Sequence, residues 1–252
     1  MTPDFNENWP SASDRFEPAR KQPRKEMLPK RAAASFAFLL GCLPRRRSGR
    51  RALTVLTVLM AMAGVLLLSY PVVTDFWAKS RQNHLRGEFN SKQAIELYKT
   101  RQIRVGGALT RLRVDRMGGC PTCKINVIVV EGISGNALRA GAGHYENTSL
   151  PGENGNVAIA GHRTGFGEPF RHLDAFRPGD KITLETPIGT YIYQVIPPFD
   201  GHGNPWVTHP RDLTVLEPTI EAMLTLTTCD PPHTSKNRLI VRAKLVQSKV
   251  VA

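Results

Sequence analysis

The chain has 252 residues, 41% of them hydrophobic, with 21 glycines and 19 prolines; that balance suits many short strands joined by turns and argues against a helical bundle. Its formal net charge is +13, yet residues 1–51 alone hold twelve Lys and Arg against five Asp and Glu, with no stacking aromatics interleaved on a periodic face, which argues against a nucleic-acid surface. Four cysteines in a chain of this length are too few for a disulfide framework.

Residues 1–51 form a basic tail with no apolar period, expected to stay without packed structure. Within it Ala32–Leu43 is apolar but too short to span a bilayer, and suits an interfacial position. Arg45, Arg46, Arg47, Arg50 and Arg51 then precede an uncharged run over residues 52–74, long enough to cross a membrane at about 1.5 Å per helical residue. The run lies farther from the amino terminus than a cleaved signal peptide and has no persuasive small-residue cleavage site after Leu68, so an uncleaved anchor is expected. The arginines before it predict a cytoplasmic tail and an extracellular carboxy-terminal portion. Residues 75–106 read as a partly helical stalk, with Phe76 and Trp77 as interfacial aromatics, and residues 107–252 as the extracellular domain.

From Leu109 short strands begin, expected at 109–115, 125–131, 157–161, 181–186, 189–196, 213–216, 223–229 and 238–246. Gly118-Gly119, Pro178-Gly179-Asp180 and Pro187–Gly189 separate several of them. Eight such strands predict an all-β closed barrel with short helices in its connections, since closure removes exposed sheet edges.

The stretch richest in chemistry is Met223–Val246. Leu224, Leu226 and Thr228 alternate with Thr225 and Thr227 as in a half-buried strand, and Cys229 stands at its end. Pro231 and Pro232 stop the ladder, and a second strand starts at Arg238. If the two strands are neighbours, thiol and guanidinium share one sheet edge. A nearby cation favours the nucleophilic thiolate, and a histidine can carry protons for it. His162 is the best placed, since Val157, Ile159 and Gly161 alternate up to it; His144 and His233 are its rivals, as Arg163 and Arg242 are for Arg238. Cys120 and Cys123, in Cys-Pro-Thr-Cys, cannot by themselves fill a tetrahedral zinc site; outside the membrane a local disulfide is expected, with a redox role as the alternative. No metal is expected.

The Thr-Leu-Thr-Thr-Cys run ending at Cys229, the Arg-Leu-Ile-Val run from Arg238 and the block LPGENGNVAIAGHR, which contains His162, occur in the order found in sortases, and the region from Leu109 to Val246 resembles that family of membrane-anchored cysteine transpeptidases. The resemblance implies an eight-stranded sortase barrel, with Cys229 as nucleophile, His162 as acid-base and Arg238 as oxyanion or substrate-backbone stabiliser. It places His144, Thr227 and Thr228 as substrate-binding residues and requires no cofactor. It implies as substrates surface proteins carrying a carboxy-terminal LPXTG- or LAXTG-type signal, cut between Thr and Gly, and as acceptor the amine of a peptidoglycan precursor (lipid II). The Asp-Pro-Pro and RLIVRA segments look most like class E. A pilin-polymerising class C enzyme, a water-resolved cysteine protease and a catalytically silent wall-peptide-binding barrel are the alternatives. Asp75-Phe76-Trp77 resembles the Asp-aromatic lid of pilus-building members, although it abuts the span.

Overall fold

The computed structural model describes residues 47–250; the expectations for the basic tail up to residue 46 and for Ala32–Leu43 lie outside it. The chain divides into two units, Met1–Ala61 and Met62–Ala252. The described part of the first is helical and belongs to helix α1, Arg47–Phe89. Among the described residues α1 is the one helix long and apolar enough to cross a membrane. Its apolar side chains are exposed, Met60 at 69% and Leu68 at 82%, as expected of a segment whose surroundings are lipid.

In the second unit, the last turns of α1 are followed by α2, Lys92–Lys99, and then by the strands. These are β1 (Ala108–Val114), β2 (Ile125–Glu131), β3 (Ala142–His144), β4 (Gly155–Gly161), β5 (Lys181–Thr186), β6 (Gly189–Val195), β7 (Trp206–Thr208), β8 (Ala222–Asp230) and β9 (Asn237–Val250), with helix α3 (Gly135–Ala140) between β2 and β3. The order β6-β5-β1-β2-β3-β4-β8-β9 closes through β9–β6 pairing into an eight-stranded barrel. The ninth strand, β7, pairs with the first part of β9, where Ile240 faces Trp206, while β6 takes over from Ala243 onward. Two pairings are parallel, β2–β3 and β4–β8.

The count of eight was reached in the sequence with one wrong member. Residues 213–216 are not a strand: Thr214–Leu216 form a 3-10 turn, with Leu213 exposed and only Val215 turned inward. The strand that takes its place in the barrel is β3, three residues long and too short to show a period.

Alternate residues fill the barrel: Leu112 and Val114, Val127 and Val129, Val157 and Ile159, Leu224 and Leu226, Leu239 and Val241, closed off by Phe170, Leu173 and Phe176. β8 is buried on both faces over Met223–Thr228 rather than half-buried, and residues of the connection from β7 lie against its outer side. There the Asn156 amide donates to the carbonyls of Val215 and Glu217 and accepts from Thr225 Oγ1.

A second, smaller cluster lies outside the barrel wall, where Leu85 of α1 is packed among Ala108, Ile128, Val130, Ala137 and Ala140. Burying such a leucine contributes about 1.5–3 kcal/mol. Beside it the Gln82 amide acts as an extra strand residue: Oε1 accepts from Ile128 N–H at 2.7 Å, and Nε2 donates to Ile128 O at 3.1 Å and Ala140 O at 2.7 Å. These groups sit where β2 has not yet met β3, so Gln82 satisfies backbone that the short strand leaves unpaired.

Candidate active site

Cys229 and Arg238 are cross-strand partners in the antiparallel β8–β9 ladder, which runs in register from Met223–Lys244 to Asp230–Asn237. Directly opposed residues in such a ladder lie side by side, so thiol and guanidinium emerge together at the barrel rim. Cys229 is a free cysteine and half-buried. The Arg238 guanidinium donates from Nη1 to Asn237 O at 3.0 Å and Ser235 O at 3.3 Å. No carboxylate pairs with it among the described residues, which leaves other N–H donors of its fork free.

His162 reaches the same rim from the other side of β8. The parallel β4–β8 register aligns Ala160 with Thr227, and its continuation brings His162 level with Cys229. The continuation is fixed by Thr228, whose Oγ1 donates to Gly161 O at 2.7 Å. Glycine is required at 161 for a packing reason: a Cβ there would lie 2.6 Å from the ring of Phe170, itself fully buried.

The two arginine rivals are otherwise engaged. Arg163, buried, pairs with Asp230 and, at 3.3 Å, with Asp174, and its Nη1 reaches Cys229 O at 3.4 Å. It ties the residue after His162 to the end of β8. Arg242 is four register steps from Cys229, opposite Thr225; it donates to Val215 O and lies over the rings of Phe199 and Trp206.

Among the other sequence-predicted residues, His144 is 1% exposed and has both ring nitrogens occupied, Nδ1 with Glu131 Oε2 and Nε2 with Ser149 O and Thr148 Oγ1, all at 3.0 Å. It braces the segment between β3 and β4. Thr227 and Thr228 are each 3% exposed. Thr228 spends its proton on Gly161, whereas Thr227 Oγ1 meets the hydroxyl of Tyr145 at 3.2 Å, on the face of β8 that carries Cys229. The rival His233 is exposed in the loop between β8 and β9. Cys120 and Cys123 are joined by a disulfide, Cα–Cα 5.4 Å, in the turn between β1 and β2. Among the described residues no cluster of His, Cys, Asp and Glu could hold a metal ion.

Sequence reasoning missed the segment that follows His162. Phe166 lies against the imidazole, ring centroids 5.4 Å apart, and the Arg139 guanidinium of α3 sits over the Phe166 ring, 5.7 Å from its centroid. Burial first, and the positive field of Arg139 second, hold the His162 imidazole below the usual histidine value. The loop adopts positive φ at four residues in succession, Gly165 (74°), Phe166 (52°), Gly167 (78°) and Glu168 (46°). Gly165 and Gly167 were a visible signal for such a loop; non-glycine residues there cost of order 1–3 kcal/mol each.

A sortase domain model matches residues 119–246. Sortase SrtE2 of Streptomyces coelicolor is 30% identical over 227 residues, 82% of this chain and 88% of its own length. Sortase SrtE1 of the same organism is 35% identical over 147 residues, 51% of this chain, and the match spans 39% of its length. Among solved structures, the Clostridium perfringens Sortase D5 transpeptidase superposes with a TM-score of 0.54 at 28% identity, covering 67% of this chain and 98% of its own. SrtF sortase of Corynebacterium diphtheriae follows at 0.52 and 28%, covering 60% and 90%.

Proposed function

Because this chain belongs to the sortase family, most like class E, we propose that it cuts the carboxy-terminal sorting signal of a surface protein, of LPXTG or LAXTG type, between Thr and Gly and joins the new acyl end to an amine of a peptidoglycan precursor. The observation that carries this reading is the register: Cys229 opposite Arg238 in β9, and level with His162 in the continuation of β4.

The Cys229 thiolate attacks the carbonyl carbon of the scissile peptide bond, and the electron pair moves onto oxygen. The Arg238 guanidinium, with donors to spare, stabilises that oxyanion. The tetrahedral intermediate collapses as the C–N bond breaks, and the His162 imidazolium gives its proton to the leaving amine, which leaves a thioester on Cys229. Lowering the histidine's pKa makes its imidazolium a stronger acid for that step. An incoming amine then attacks the thioester, neutral His162 takes its proton, and the C–S bond breaks, releasing the amide product and restoring the Cys229 thiolate and the His162 imidazolium. The acceptor amine is that of a lipid-linked precursor such as lipid II, which shares the membrane with the anchor α1. The amino terminus lies in the cytoplasm and the barrel outside, as the arginines before the span direct.

The test is mass spectrometry of the full chain in detergent, incubated with LAETG and LPETG peptides with and without oligoglycine or a diaminopimelate-type amine. A covalent adduct that vanishes in Cys229→Ala, together with an amine-dependent ligated product, is expected. Cleavage without ligation would make the protein a protease, and neither adduct nor cleavage would favour a binding barrel.

A further inference from the structure

The loop after His162 holds a conformation its own sequence does not favour, with Phe166 and Glu168 both at positive φ. Within the loop, Glu168 Oε1 accepts from Gly165 N–H at 3.2 Å and Oε2 binds Arg171. The decisive support comes from α1. Asp75 Oδ1 accepts from Gly167 N–H at 3.0 Å, and the buried methyl of Ala78 lies directly beneath Gly167. One and two turns farther on, Gln82 and Leu85 fasten the same helix to β2 and α3. Asp75 is the first charged residue after the uncharged run that ends at Thr74.

We propose that Asp75 is a positioning residue for His162: the first turn of α1 beyond the membrane-spanning run clamps the Gly165–Glu168 loop, and the loop in turn presses Phe166 against the imidazole. This departs from the lid reading of Asp75-Phe76-Trp77. A lid would lay its aromatic residue over the nucleophile, whereas Phe76 is 74% exposed and it is the carboxylate that makes the contact, with the backbone behind the histidine. Asp75, the first residue past the span, is thus tied to the loop behind His162, so a domain truncated beyond Asp75 loses this support for the histidine.

The proposal rests on the catalytic reading of His162. The charged groups around that histidine are Arg139 on α3, the paired Arg163 and Asp230, Glu168 paired with Arg171, and Arg238 across β8; Asp75 meets the loop through its backbone. Releasing the loop therefore acts on His162 chiefly by letting water reach the ring, which moves its titration upward toward the ordinary histidine value.

The experiment compares full-length wild type, Asp75→Ala and Asp75→Asn in nanodiscs, reading kcat and KM for peptide cleavage and the His162 titration by NMR of labelled histidine. Asp75→Ala is expected to lower kcat about 10- to 100-fold with little change in KM, and to raise the His162 titration point. Asp75→Asn, which keeps an oxygen acceptor for Gly167 N–H, is expected to retain most of the rate. Phe166→Leu, which leaves the Asp75 contact in place, should reproduce the alanine variant and decides the matter if Asp75→Ala fails to fold. Wild-type kcat and titration in Asp75→Ala, or in Phe166→Leu, overturn the proposal. A wild-type chain that forms no adduct with either peptide overturns the catalytic reading itself, and the clamp with it.

Discussion

The two sides of the candidate catalytic rim are held by different means. Cys229 and Arg238 ride on the β8–β9 ladder, whose eight register pairs leave neither residue free to shift without moving the whole sheet. His162 stands one residue beyond the end of β4, held by Thr228, by the glycine at 161 and by a loop whose φ angles need outside support. A ladder positions through many equivalent hydrogen bonds, so its geometry survives the loss of any one; a loop positions through a few specific contacts, and each of them matters. Acid-base catalysis tolerates this difference poorly, because proton transfer depends on hydrogen-bond reach. The histidine side is therefore where substitutions remote from the chemistry should be felt.

The comparison can be broken most forcefully on the ladder side. Arg238→Ala leaves the β8–β9 register intact while removing the charge, and should lower kcat/KM about 10²–10³-fold with unchanged thermal stability. Arg238→Lys should recover only part of it, since an ammonium lacks the planar fork. A full recovery in steady-state peptide cleavage would reduce Arg238 to a point charge.

On the histidine side, Gly161→Ala pushes a methyl into the buried ring of Phe170 and should destabilise the fold by about 1–3 kcal/mol, read as a lower Tm. It should also cost activity at temperatures where the variant remains folded, since His162 is the next residue. Unchanged activity there would mean that the loop, not the strand end, sets the histidine.

The smallest effect is expected from Arg139→Gln. Its guanidinium is the lesser of the two influences holding the His162 imidazole down, burial being the larger, so its removal moves the titration up. The limb of the pH–rate profile that reports His162 should shift to higher pH, and a shift to lower pH would contradict the geometry of the Arg139–Phe166–His162 stack.

Much of the barrel was legible because period-2 alternation records which side chains face a core. It marks Leu224 and Leu226 of β8, Val157 and Ile159 of β4, and Tyr191, Tyr193 and Val195 of β6 directly. The same signal failed where strands are three residues long: Ala142–His144 and Trp206–Thr208 carry no period, and the apolar Leu-Thr-Val-Leu at 213–216 imitates one while forming a turn. At the site, Cys229, His162 and Arg238 could be picked out because each stands at the end of a readable strand. Tyr145, Arg139 and Asp75 could not, since each meets the site across a large sequence separation; Phe166, four residues past His162, could not because it lies in a loop without period whose fold depends on such distant contacts.

By itself the sequence determined the barrel's inward-facing residues, the one apolar run long enough for a bilayer, and the three residue types whose chemistry suits acyl transfer. Those are local properties, carried by hydrophobic period, run length and side-chain chemistry. The tertiary structure alone decided which arginine stands free and which is buried in an ion pair, why residue 161 must be glycine, and how a carboxylate just past the span comes to hold a backbone amide 92 residues away in the chain. Such facts depend on closure of the sheet, which brings distant segments within hydrogen-bond reach and leaves no trace in local periodicity.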